Sequence, residues 1–121
     1  MIFARESDAG LAGLVKQLDA LAIKHAGQKL AAFVNFIGPD SETLQADAKN
    51  FARKHQIEHV AVVVPVDHKN GPAAFQVSPD AATTVMIYRN QQITAAHGVA
   101  AGGLTEAKIR QIIADTTKML E

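Results

Sequence analysis

The sequence predicts an α/β fold built on a five-stranded mixed sheet flanked by helices on both faces. Three observations carry this. Two nearly unbroken apolar runs, Leu30–Ile37 and Val60–Val66, have the composition of strands covered on both sides. Stretches with helical apolar spacing separate and follow the strands. The segments Thr83–Arg89 and Ile93–His97, joined by Asn90-Gln91-Gln92, read as a hairpin. Strand–helix–strand–helix–strand followed by a hairpin and a helix is the plan of a parallel unit with right-handed crossovers.

Met1 to Arg5 is a short apolar strand. Leu11, Leu14, Val15, Leu18 and Ala22 then recur at helical spacing and form one buried stripe. Ser7 is placed to cap this helix, because a hydroxyl accepts from an N–H of the first turn that has no partner inside the helix. Gly27 stands where a left-handed C-terminal residue is expected. After Leu30–Ile37, Gly38-Pro39-Asp40-Ser41 opens a second helix with Leu44, Ala48, Phe51, Ala52 and His55 on one face. Asp67 to Gly71 is a turn by composition, and Pro72 to Phe75 reads as a single helical turn. Thr105 caps the last helix, whose inner face is Ile109, Ile112, Ile113, Thr116 and Met119 or Leu120. The expected strand order is Val60–Val66, Leu30–Ile37, Ile2–Arg5, Thr83–Arg89, Ile93–His97. The first three are parallel and Thr83–Arg89 runs antiparallel to them.

The 121 residues are one domain by size, with no repeats or linker. Twelve basic residues balance twelve acidic ones, and they are scattered, which argues against nucleic acid as a partner. No apolar run reaches the roughly 18 residues needed to cross a bilayer, so no membrane partner is expected. No secretion signal opens the chain, and compartment stays open.

The order of several short motifs resembles the redoxin branch of the thioredoxin superfamily, the alkyl-hydroperoxide-reductase and thiol-disulfide-oxidoreductase type. Phe51-Ala52-Arg53-Lys54-His55-Gln56 is similar to that family's second helix end. Asp67 to Gly71 followed by Ala74-Phe75-Gln76-Val77 is similar to its Asp-to-Gly turn and the strand after it. Ala82-Thr83-Thr84-Val85-Met86-Ile87 is similar to its "P-T-T-x-L-I" strand. The resemblance covers nearly the whole chain and implies a thioredoxin-like fold. It also places the family's first cysteine at Ser7 and its second at Gly10, after Phe3-Ala4-Arg5-Glu6.

The chain contains no cysteine. A serine at position 7 has no comparable acidity and forms no disulfide. Ala82 replaces the family's cis-proline, and a cis bond before a non-proline residue costs about 2.5–4 kcal/mol, so a trans bond is expected there. The family's usual hairpin and strand ahead of the nucleophile strand are also missing. Two functions follow as expectations. One is a redox-inactive domain that binds a protein partner or self-associates, most simply as a symmetric dimer through an uncharged sheet edge. The other is the C-terminal part of an oxidoreductase or peroxidase whose cysteines lie upstream.

The residues beside the former thiol site are the candidate binding residues: Arg5, Glu6, Ser7, Asp8, Ala82 and Thr83. They fall at the C-terminal end of a parallel strand, where open α/β sheets bind ligands. Arg5, Glu6 and Asp8 also read as an ordinary solvated strand–helix junction, with Asp8 complementing the helix dipole. Thr83 and Thr84 alternate, so one faces this region and the other points away. No cofactor is expected. His25, His55, His59, His68 and His97 raise the question of a metal, but they fit helix ends, a strand start and a turn, and no metal site is expected. A hydrolytic set of Ser7, Asp8 and His97 competes with simple capping by Ser7, and no G-x-S-x-G elbow surrounds the serine. Gly98 to Gly103 lacks a phosphate-loop pattern and reads as a turn.

Overall fold

The computed structural model describes residues 1–6, 8–25, 27, 30–69, 77, 80–89, 92–100 and 102–119. In chain order the elements are β1 (Ile2–Ala4), α1 (Ala9–Lys24), β2 (Phe33–Phe36), α2 (Ser41–Lys54), β3 (Ala61–Val63), β4 (Thr83–Arg89), β5 (Gln92–Val99) and α3 (Glu106–Met119). The sheet has the order β3-β2-β1-β4-β5. β1, β2 and β3 are parallel, β4 is antiparallel to β1, and β5 returns antiparallel to β4. Strand order and directions agree with the expectation. The single helical turn expected at 72–75 lies outside the described residues, as do Asn90-Gln91 at the hairpin tip.

Register assigns every side chain to a face. One row across the sheet is Val62, Val34, Ile2, Val85 and His97. The next row, pointing the other way, is Val63, Asn35, Phe3, Thr84 and Gly98. The first face packs against Leu11, Leu14, Val15 and Leu18 of α1, Leu44 and Phe51 of α2, and Ile109 and Ile112 of α3 in one continuous core. Phe3, Ile37 and Met86, with Met1 and Val77, make a smaller cluster on the opposite face.

All three helices thus lie on one face, a correction to the expectation of helices on both, made among the described residues. The cause is topological. The chain steps from β1 to β2 to β3 in a single direction, and two successive right-handed crossovers then place α1 and α2 on the same side. α3 packs against α1 and β4.

The apolar runs also shorten. The first run is buried on both faces from Val34 in β2 to Ile37 just beyond it, as expected. β3 is not, because it is an edge strand: Ala61 and Val63 are exposed, and Val63 keeps 40% of its surface. β5 instead lengthens, pairing as far as Val99 with Thr83. A bulge between Ile87 and Tyr88 leaves Thr94 as the extra residue, and its Oγ1 donates to the Ile87 carbonyl at 3.1 Å.

The helix ends follow local chemistry. The cap of α1 is Asp8, whose Oδ1 accepts from Leu11 N at 2.8 Å. This corrects the assignment to Ser7, which lies outside the described residues. A carboxylate caps as well as a hydroxyl and adds charge at the positive helix end. α1 ends at His25 rather than at a left-handed Gly27, whose φ is not positive. α2 is capped by Asp40, which also accepts from Thr43 Oγ1 at 2.9 Å. It closes in a Schellman motif: Ile57 N donates to Ala52 O, and Gln56 N donates to Arg53 O. Gln56 takes the left-handed position with φ of 54°, where glycine is the usual residue. Thr105 caps α3 through Lys108 N, as expected.

Candidate functional site

β1 is the middle strand, with parallel β2 on one side and antiparallel β4 on the other, so its C-terminal end lies beside the start of β4. Arg5 and Glu6 sit there. Arg5 N donates to Ala82 O at 2.8 Å and Arg5 Nη1 to Lys69 O at 3.3 Å. The strand end is thereby tied to the segment that leads into β4. No cis peptide occurs among the described residues, so Ala82 is trans, as expected. Thr83 is buried on the helix face, paired with Ala4 and Val99, whereas Thr84 lies on the opposite face. The Thr84 hydroxyl is buried and has no hydrogen-bond partner among the described residues.

Of the six candidate residues, the fold brings together Arg5, Glu6, Ala82 and Thr83. Asp8 is withdrawn into its cap. Ser7 lies outside the described residues. Arg5 and Glu6 line a cleft with Ala4, Phe36, Leu44 and Asp47. Its volume is about 60 Å3, against roughly 300–1,000 Å3 for sites that enclose small organic ligands. Glu6 and Asp47 set two carboxylates against the one guanidinium, so the cleft offers no concentrated positive charge for an anion.

The position where the resemblance puts a second cysteine is closed. A Cβ built on Gly10 would lie 2.6 Å from the Leu104 carbonyl oxygen and 2.7 Å from Leu104 Cβ. The first turn of α1 is pressed against the segment before α3, and only a glycine permits that approach. A cysteine at position 10 needs Leu104 and its backbone to move.

Of the hydrolytic set, Asp8 and His97 have other partners and Ser7 lies outside the described residues. His97 lies on the helix face of β5 and is 8% exposed. Its Nε2 is 2.7 Å from Asp115 Oδ2 and its Nδ1 is 3.1 Å from Lys108 Nζ. A neutral imidazole with the proton on Nε2 satisfies both contacts: it donates to Asp115 and accepts from Lys108. Lys108 and Asp115, seven residues and about two turns apart on α3, grip the ring from the same side of the helix. The arrangement fastens α3 to β5.

His68 is part of the framework too. Its Nδ1 is 2.8 Å from Gly38 O, and its own carbonyl accepts from Gly38 N at 2.6 Å. Among the described residues no group of three or more His, Cys, Asp or Glu side chains is placed to hold a metal ion. No helix among them is long and apolar enough to cross a membrane.

Sequence reasoning missed Asp19. From the flank of α1 its Oδ1 accepts from three consecutive backbone N–H groups, Glu58 at 3.2 Å, His59 at 2.6 Å and Val60 at 3.1 Å. It fixes the entry to β3. Nothing local marks Asp19, because its partners are about forty positions away.

Comparison of the chain with protein-family models, with curated proteins and with solved structures returns no match.

Proposed function

We infer that this chain is a redox-inactive thioredoxin-like domain that works as a protein-interaction module. The observation that carries the reading is the Gly10–Leu104 contact. Where the resemblance puts a second cysteine, the backbone is packed so closely that no side chain fits. Absence of a thiol alone is a one-atom difference from serine. A closed position 10 is a difference in packing, and it goes with a trans Ala82 in place of the family's proline. The strand order β3-β2-β1-β4-β5 supports the fold assignment. The small cleft at the end of β1 supports recognition by a surface rather than enclosure of a small substrate.

The test is chemical. No side chain here offers a reversible two-electron thiol–disulfide couple. Purified chain should neither reduce insulin disulfides nor consume hydroperoxide in the presence of a thiol reductant. Turnover that scales with chain concentration and survives repurification would overturn the reading. Installing cysteines at positions 7 and 10 should yield a destabilised protein rather than an active one, since a Cβ at position 10 collides with Leu104.

A further inference from the structure

We propose that the free edge of β3, overhung by the basic flank of α2, docks an extended acidic segment of a partner protein by strand addition. This rests on the interaction-module reading and names its site and its ligand.

Among the described residues no strand or loop pairs with the outer edge of β3. Ala61 N donates inward to Ala32 O. By the alternation of a parallel ladder, the N–H and C=O of Val62 point outward, away from the sheet. β3 carries no charge of its own, whereas edge strands are normally protected by one. The two ends of the edge are held in place. Asp19 fixes 58–60 on one side, and His68 is tied to Gly38 on the other. A rigid edge costs a docking strand little ordering of its host.

The two faces beside this edge differ. On the face away from the helices, Ala61, Val63 and Phe33 are exposed, with Val63 and Phe33 at 40% and 38%. On the helix face lies α2. Leu44, Ala48 and Phe51 point to the core, and Leu44 and Asp47 line the cleft on the β1 side. Counting round the helix at 3.6 residues per turn, the opposite flank carries Gln45, Ala52 and Lys49, with Glu42 at its N-terminal end and Arg53 turned further toward solvent. Leu44 packs over Gly38 at the far end of β2, and Phe51 meets Phe36 edge-on at 5.5 Å. The second half of α2, with its cations, therefore runs alongside β3. Neither Lys49 nor Arg53 forms an ion pair among the described residues.

An added strand would present alternate side chains to these two environments. Acidic residues on one side meet Lys49 and Arg53, and apolar residues on the other lie beside Val63 and Phe33. Glu58 and Asp67 stand beyond the two ends of β3 and confine the acidic positions to its centre. A second copy of this chain is the poorer occupant. A two-fold axis at Val62 would bring together the two C-terminal halves of α2, each bearing Lys49, Arg53 and Lys54, and like charges oppose that pairing.

The probe is a fluorescein-labelled ten-residue peptide of alternating Glu and Val, followed by anisotropy. It should bind, with affinity falling several-fold between about 50 and 300 mM salt as screening grows. The alternating Lys-Val peptide should not bind. The double variant K49E/R53E, altered only at exposed positions, should weaken Glu-Val binding by at least about tenfold. V62P, which removes the outward N–H and leaves the inward ladder, should do the same. No binding at millimolar peptide, equal binding of the Lys-Val peptide, or unchanged binding by K49E/R53E would each overturn the proposal. So would a homodimer in sedimentation equilibrium that V62P dissociates, since a second copy would then own the edge. If V62P fails to fold, the charge-reversal pair decides. Failure here with no redox turnover sinks the docking site and leaves the module reading standing. Redox turnover sinks the module reading whatever the peptide does.

Discussion

Replacing Asp19 with alanine should destabilise the protein by about 2–3 kcal/mol. Its carboxylate oxygen collects three backbone donors at 3.2, 2.6 and 3.1 Å. A hydrogen bond to a charged group contributes roughly 1.5–3 kcal/mol net. The three do not simply add. The bonds from Glu58 and His59 are exposed, so water replaces the carboxylate there at small cost, while Val60 N is partly buried and its side chain is core. One bond at near full value and two at a fraction give the estimate. Asp19→Asn keeps an oxygen acceptor and loses the charge, so about half the effect should remain. For a chain of this size each kcal/mol moves Tm by about 3–4 °C, interpolating between smaller and larger domains. The alanine variant should therefore melt about 6–12 °C lower. Urea unfolding of the three proteins measures the ordering, and native-state hydrogen exchange adds a local signature: amides 58–60 should lose protection first. If Asp19→Ala lies within 0.5 kcal/mol of the parent, or the loss of protection is no greater at 58–60 than elsewhere, the carboxylate is not what fixes the entry to β3.

Gln56→Gly should stabilise by about 1 kcal/mol in urea unfolding, because Gln56 holds a left-handed φ of 54° that glycine adopts without strain. Thr84→Val should be neutral or stabilising by up to about 1 kcal/mol, since the hydroxyl is buried without a hydrogen-bond partner among the described residues. A loss above 1 kcal/mol would show that the hydroxyl has a partner. His55 should titrate below its usual 6.5, owing first to desolvation against its neighbours and then to repulsion from Lys16 and Lys54. The folded chain then binds fewer protons than the unfolded one just below pH 6.5, so stability rises as pH rises through that window and falls on acidification. NMR titration of the ring checks the direction, and Lys16→Gln should move the midpoint upward.

Strand order and the helix stripes were legible because burial leaves a period in the sequence. Leu11, Leu14, Val15 and Leu18 are all core, as their spacing requires. The same logic failed at β3. A Val-rich run looks alike at the centre of a sheet and at its edge, since composition reports strand preference and not how many neighbours the strand finds. The side of the sheet taken by the helices was likewise hidden, although strand order together with crossover handedness already contained it. Arg5 and Glu6 were expected at the C-terminal end of β1 because a strand end is a topological position, and the structure places them there, with Ala82, named from the motif resemblance, hydrogen-bonded to Arg5. The capture of Asp8 by α1 was missed by one residue, which is the usual uncertainty of a cap. The Asp19 clasp and the Lys108–His97–Asp115 grip left no trace, because their partners meet only in three dimensions.

That β1 is the central strand has a consequence for biosynthesis. One of the two neighbours of Phe3 in the sheet, Thr84, is made 81 residues after it. At about 5–20 residues per second that interval is roughly 4–16 s. Within it the β1–β2–β3 unit can assemble once Val63 is made, but the side of β1 that β4 will cover stays unpaired, with Ile2, Phe3 and Ala4 awaiting a partner. The nascent chain thus carries two open strand edges, of which the finished protein keeps one at β3. The first is a matter for chaperones or for the speed of translation across residues 64–85.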